Sequence, residues 1–269
     1  MSWNRVLWIG GVARSGTSWL AQMINSHESV RFRFQPLFSY EFKARVNEDS
    51  TQQQHLAFLK ELWETESEFL VQQDKIDAGE YPNFEKNNCN VLAFKENRYL
   101  SVIEPMLRRI EQMRFVGIVR NPCAVINSWC KNEKEFPAGS VLREQWRFGA
   151  CKNSGSEDYF GYYKWKEAAN SFLDLAQQYP DRACVFSYSS VVANPSKCVA
   201  RILEMLDLEM TPQVQSFIES SSSRHSNNYY SVYKSAAKTS LDWQNELDPY
   251  IVDEIHADLR STRLEQFLI

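Results

Sequence analysis

Metal-binding, disulfide and membrane signatures are all missing from this chain. Its four histidines are scattered, and no two share the spacing of a metal site on one helix. The six cysteines (Cys89, Cys123, Cys130, Cys151, Cys184 and Cys198) form no CxxC pair and match no histidine spacing, so they read as buried, reduced thiols. No apolar run reaches membrane-spanning length, and the first strand candidate begins at Arg5, leaving no room for a signal peptide. The expectation is a cytoplasmic protein with no membrane partner. A net charge of −4 supplies no general attraction for nucleic acid, so any anion site has to be local. Repeats, low-complexity tracts and a dividing linker are absent too, and residues 1–269 are expected to form a single domain.

The chain does contain a regular alternation of short apolar runs and helical patterns. Strands are expected at Val6–Gly10, Val30–Phe34, Val91–Phe94, Phe115–Val119 and Ala183–Ser187. Helices are expected at Thr17–Ser26, residues 51–72, Met106–Ile110, from Pro122 onward, over residues 140–179 with an interruption near Gly155, at Pro195–Leu206 and at Asp248–Leu259. Residues 220–240 read as a polar loop. Alternating strands and helices imply an α/β fold of three layers, a parallel sheet covered by helices on both faces. Ligands of such sheets bind beyond the carboxyl ends of the strands. Arg14, Gln35, Lys95, Arg120 and Tyr188 stand just past the five strand ends.

One stretch organises the rest. Gly10–Leu20 reads GGVARSGTSWL, between a strand and a helix. A glycine turn at a helix N-terminus aims backbone N–H groups and the positive end of the helix dipole at one anion. Gly11 and Gly16 have Walker-A spacing, but Thr17 and Ser18 occupy the places of the Lys and Ser/Thr that a nucleotidase uses for phosphate and magnesium. The cation is Arg14 instead. The phosphate cradle is kept and the triphosphate–magnesium chemistry is not, which weighs against a P-loop kinase. A surface arginine would sit poorly against the positive end of a helix unless an anion lay between them.

These residues resemble the sulfotransferases that use 3′-phosphoadenosine-5′-phosphosulfate (PAPS). GGVARSGTSWL is similar to that family's 5′-phosphosulfate loop, with Arg14 in the loop-cation position and Ser15, Gly16, Thr17 and Ser18 around the phosphate. FVGIVRNPCAVINSW is similar to the second motif, which places Arg120 and Ser128 at the 3′-phosphate. VFSYSSVVANPSKCVARILEML puts Tyr188 in the place of a cofactor-binding tyrosine, and SLDWQNEL resembles the family's nucleotide-loop tryptophan segment. The resemblance implies a P-loop NTPase-like sulfotransferase fold, PAPS as co-substrate with PAP as product, and no metal. It implies a stacking role for Trp19, for which the residues alone leave a core position equally open. Lys234, Ser235 and Lys238 are candidates for closing over the nucleotide, against a plain solvated loop.

For catalysis, Arg14 is too basic to give up a proton, so its role is electrostatic. Lys95 aligns with a family lysine near the transferred group. The acceptor hydroxyl needs a general base. The slot after the second strand, often Glu in carbohydrate-acting members, holds Gln35, which cannot accept a proton at neutral pH. Glu41 and Glu96 are the substitutes. Residues 146–165, rich in aromatics, and the basic Arg31, Arg33, Lys43 and Arg45 are candidate acceptor contacts. The implied reaction is sulfuryl transfer from PAPS to a hydroxyl of a carbohydrate or other small metabolite. A PAPS- or PAP-binding regulatory protein without catalysis stands as the alternative.

Overall fold

The computed structural model describes residues 3–223 and 242–269. Five strands build one sheet: β1 (Arg5–Gly10), β2 (Val30–Phe34), β3 (Val91–Glu96), β4 (Met113–Val119) and β5 (Ala183–Ser187). Their order is β2-β3-β1-β4-β5 and every pairing is parallel. A parallel sheet buried on both faces needs continuous apolar strands. β1 is buried from Val6 to Gly10 and β3 along its whole length.

Helices cover the two faces. On one lie α1 (Thr17–Asn25), α6 (Pro195–Met205) and α7 (Pro212–Ser223), packed through Leu20, Ile24, Ile202 and Phe217 against Leu7, Ile9 and Ala93. The other carries α2 (Gln52–Glu64), α3 (Ile103–Arg109), α4 (Pro122–Cys130), α5 (Tyr162–Gln178) and α8 (Pro249–Leu259), which bury Trp8, Phe94 and Phe115. This is the expected three-layer α/β fold.

Four local readings change. The helix expected over residues 51–72 is α2 alone, opened by a capping box between Thr51 and Gln54, and followed by a separate turn at Glu68–Val71. Buried Arg33 stops it: its guanidinium donates to the carbonyls of Leu62, Trp63 and Thr65, and Arg31 also reaches Trp63. The 140–179 helix is interrupted across 146–161, not merely near Gly155. Gly149 and Gly161 both adopt left-handed backbone (φ 62 and 86), and a Cβ on Gly161 would stand 2.6 Å from the Gly149 nitrogen. β3 runs two residues further than read, so Lys95 belongs to the strand. Helix α7 and the short helix Tyr188–Ala193 are additional to the expected elements, and Ser220–Ser223 finish α7 rather than open a loop.

Among the described residues no helix is long and apolar enough to cross a membrane, and all six cysteines are free.

Candidate active site

At the carboxyl ends of the strands opens one cleft of about 810 Å³. Arg14, Gln35, Lys95, Arg120 and Tyr188, one from each strand end, all line it. Among the described residues that line it, nine are basic and three acidic, in a chain whose net charge is −4. Cations from across the sequence are thus gathered along one cleft, where an anion site in this chain would have to be local.

The glycine turn is held from three sides. Gly16 caps α1 with φ 92 and no side-chain hydrogen bond, and a Cβ there would lie 2.7 Å from the Tyr188 ring. Only glycine fits both the backbone and that contact. Asn97 donates from Nδ2 to the Gly11 carbonyl at 2.5 Å and to Thr17 Oγ1 at 3.2 Å, bracing the turn from beyond β3. Arg120 donates to the Arg14 carbonyl at 3.0 Å, and its guanidinium lies 4.9 Å over the Tyr188 ring. The Arg120 carbonyl is fixed in turn by Trp165 Nε1 at 2.9 Å.

Arg14 has a left-handed backbone (φ 72), unusual for a residue with a side chain, and donates from Nε to Ser128 Oγ at 3.0 Å. Residues 114 positions apart thus meet. Ser128 is presented by α4, whose start is fixed by Pro122 and by Asn121, which accepts from the Cys123 and Ala124 amides at 2.9 and 3.3 Å. Burial lowers Arg120 below the ordinary arginine value and the Arg14 charge adds to this, while Tyr188 and Asp242 oppose it. An anion between the two arginines relieves both effects.

Trp19 does two things. It is buried in the sheet-face core with Nε1 donating to Ser221 Oγ at 3.1 Å, and it also borders the cleft. Thr17 and Ser18 line the cleft, but Ser15 does not. Its side chain is fully buried, its Oγ has no hydrogen-bond partner, and its amide donates to Val12 at 3.3 Å. Ser15 shapes the turn from inside. Trp243 reaches the cleft from a short helix, Trp243–Glu246, tied to α4 by Asn127 donating to Glu246 at 2.7 Å and by a Lys131–Glu246 ion pair. Lys234, Ser235 and Lys238 lie outside the described residues.

A model of the sulfotransferase family matches residues 7–212. The chain belongs to the sulfotransferase family. No curated protein sequence matches it. Among solved structures, the mouse sulfotransferase SULT7A1 complexed with PAP aligns with a TM-score of 0.57 at 14% identity, over 100% of this chain and 87% of that one. The sulfotransferase domain of the Synechococcus PCC 7002 olefin synthase gives 0.52 at 16%, over 95% of each chain. The sulfotransferase domain of the curacin biosynthetic pathway gives 0.50 at 16%, over 95% and 97%. At these identities the likeness is one of fold.

Within this sulfotransferase-family cleft the two carboxylates read as bases are misplaced. Glu41 is exposed, accepts from Thr65 Oγ1 at 3.2 Å and does not line the wall. Glu96 points to the opposite sheet face from Lys95, is fully buried and accepts from the amides of Leu37, Asn97 and Arg98 at 3.0, 2.9 and 3.1 Å. Burial raises its pKa against those donors, and its work is to hold the turn after β2. The carboxylates that do face the cleft are Glu135, Asp158 and Asp242. Asp158 is committed: burial pushes its pKa up, but Ser154 and the 2.7 Å ion pair with Arg98 hold it below the usual range. Glu135 is different. Trp129 Nε1 fixes its carbonyl at 2.9 Å and its amide donates to Asn132 at 2.8 Å, while buried Oε2 has no hydrogen-bond partner. It lies within electrostatic reach of Lys95. Burial lowers the Lys95 pKa, partly offset by Glu96 and Glu135, and its Nζ rests 4.6 Å over the Phe34 ring. Of the basic residues read as acceptor contacts, only Lys43 lines the cleft: Arg31 and Arg33 hold the end of α2, and Arg45 pairs with Glu61.

Proposed function

We propose that the protein transfers a sulfuryl group from PAPS to a hydroxyl of a carbohydrate or other small metabolite and releases PAP. The observation that carries this reading is the meeting of Arg14 and Arg120 with Ser128 at the glycine turn. Two arginines and a serine gathered beside one glycine turn suit a nucleotide that carries more than one anionic group. PAPS brings an activated sulfuryl group; the chain's residues bind, orient and balance charge.

Arg14 and the first-turn amides of α1 stabilise negative charge at the 5′ end, where it grows on the bridging oxygen during in-line transfer. Lys95 adds a cation at the same end of β3. Arg120 and Ser128 bind the 3′-phosphate, Tyr188 positions Arg120, and Trp19 and Trp243 flank the base. Lys238 is proposed to close over the nucleotide. Glu135, rather than Glu41 or Glu96, takes the proton from the acceptor hydroxyl. No metal is invoked, and among the described residues no group of His, Cys, Asp and Glu is placed to hold one.

Calorimetric titration with PAP and AMP tests the reading. Two charge-assisted contacts of about 1.5–3 kcal/mol each correspond to a preference for PAP of roughly a hundred-fold or more. Arg120→Ala should flatten that preference. Equal wild-type affinity for the two nucleotides would remove the basis of the assignment.

A further inference from the structure

The part of the cleft beside the end of β2 has a composition of its own. Its walls are the rings of Phe34, Phe38, Phe69 and Tyr81, brought together by β2, the turn after it and the short helices Glu68–Val71 and Gln73–Asp77. Phe69 packs edge-on to Phe34 with centroids 5.7 Å apart and lies 6.0 Å from Phe38. Phe38 and Phe69 are nevertheless 51% and 37% exposed, which is unusual for a packed aromatic pair and leaves a flat apolar surface at the mouth.

Cations lie on these rings. Lys75 Nζ sits 5.5 Å over Phe34 and 5.0 Å over Tyr81. Lys43 also lines the cleft, from the turn that follows β2 and carries Phe38. Among the described residues neither Lys43 nor Lys75 has a carboxylate within salt-bridge distance. The contrast with Arg98 next to them is direct, since Arg98 is paired with both Glu157 and Asp158. An ammonium resting on a ring face, as that of Lys75 does, keeps its outward hemisphere for another partner, and with Lys43 on the same cleft wall and no acid to neutralise either, the two lysines form a recognition surface for an anion.

We infer that the acceptor is a small hydroxyl compound that carries its own anionic group, a carboxylate, sulfate or phosphate, on a body flat enough to pack against Phe38 and Phe69. The hydroxyl faces Lys95 and Glu135, and the anion faces Lys75 and Lys43. This deepens the sulfotransfer reading and rests on it, but the lobe is tested apart from the nucleotide. Long-chain or neutral acceptors gain nothing from the two lysines and leave them unmatched.

The probes are two matched pairs: 4-hydroxyphenylacetate against 2-(4-hydroxyphenyl)ethanol, and glucuronate against glucose. Each is titrated by calorimetry into the full chain with saturating PAP and again without nucleotide. The anionic member of at least one pair is expected to bind tenfold or more tighter than its neutral partner. Which pair shows the larger affinity tells whether the apolar wall takes an aryl ring or a sugar face. Lys75→Met should bring the two members of that pair within about twofold, and Lys75→Arg should restore the preference, a rescue that a merely structural lysine would not give. Equal binding of neutral and anionic probes, no binding of any probe, or an anion preference intact in Lys75→Met overturns the inference. Loss of PAP over AMP discrimination, with the anion preference kept in the nucleotide-free titration, would instead count against the sulfotransfer reading alone.

Discussion

In the proposed sulfuryl transfer, Arg14 concentrates the chemistry in one side chain. Its permanent charge, held next to Ser128, is expected to matter more for turnover than for affinity. Arg14→Ala should raise the barrier by about 3–4 kcal/mol, by analogy with lost oxyanion donors, while PAP binding weakens less; equal losses in the two measurements would show that it only binds. Glu135→Gln keeps the size of the side chain and removes the base. Transfer to an aliphatic hydroxyl should fall by about 10²–10⁴-fold, while PAP affinity stays within about twofold. Lys95 governs the alkaline side. Its folded pKa is lowered by burial, so between that value and the unfolded value of about 10.4 the unfolded chain holds more protons. The Lys95 contribution to stability therefore rises with pH through that window. Turnover moves the other way, declining as the ammonium is lost below the ordinary lysine range, and Lys95→Met should abolish that decline.

The glycine turn and α4 are where sequence turns into site geometry. Gly16→Ala meets both a left-handed backbone and the Tyr188 ring at 2.7 Å. It should cost about 1–3 kcal/mol in thermal or denaturant unfolding, and it should weaken PAP binding because Tyr188 also carries Arg120. Asn121→Ala removes the cap of α4 and should cost about 1–2 kcal/mol, together with the bond its Nδ2 makes to the Leu268 carbonyl at 2.8 Å. Both elements were legible beforehand because glycine and proline have local meanings: a turn that needs positive φ, and a helix start that needs no amide donor. The strands were equally plain, being short apolar runs. The base proposed above was not legible. Glu41 and Glu96 are near the right strand ends in sequence, but strand alternation turns Glu96 to the far face and a turn carries Glu41 outward. Glu135 lies in a stretch with no periodicity, and the Trp129 indole bonded to its carbonyl and the Asn132 carbonyl bonded to its amide hold it at the cleft. Arg31 and Arg33 misled for a related reason, since alternation alone could not reveal that α2 ends against them.

Across the molecule, the cleft gathers positive charge that the chain as a whole does not have. PAP affinity should therefore fall steeply with added salt, as phosphate contacts between charged groups are screened, whereas the unfolding midpoint should shift little. Excess EDTA should leave turnover unchanged, because Arg14 and Lys95 stand where magnesium serves phosphoryl transfer. The strand order has a further consequence, for synthesis. β1 leaves the ribosome first but belongs at the centre of the sheet, and both of its neighbours, β3 and β4, begin only at Val91 and Met113. Until then the segment that carries the cradle has no hydrogen-bonding partner for either edge. Fragments ending before β4 should be rapidly digested by protease, and protection should appear only once the nascent chain extends past Ser187. A growing polypeptide must keep this apolar strand waiting, and an unpaired apolar strand of that kind is the surface on which a nascent chain aggregates unless it is shielded.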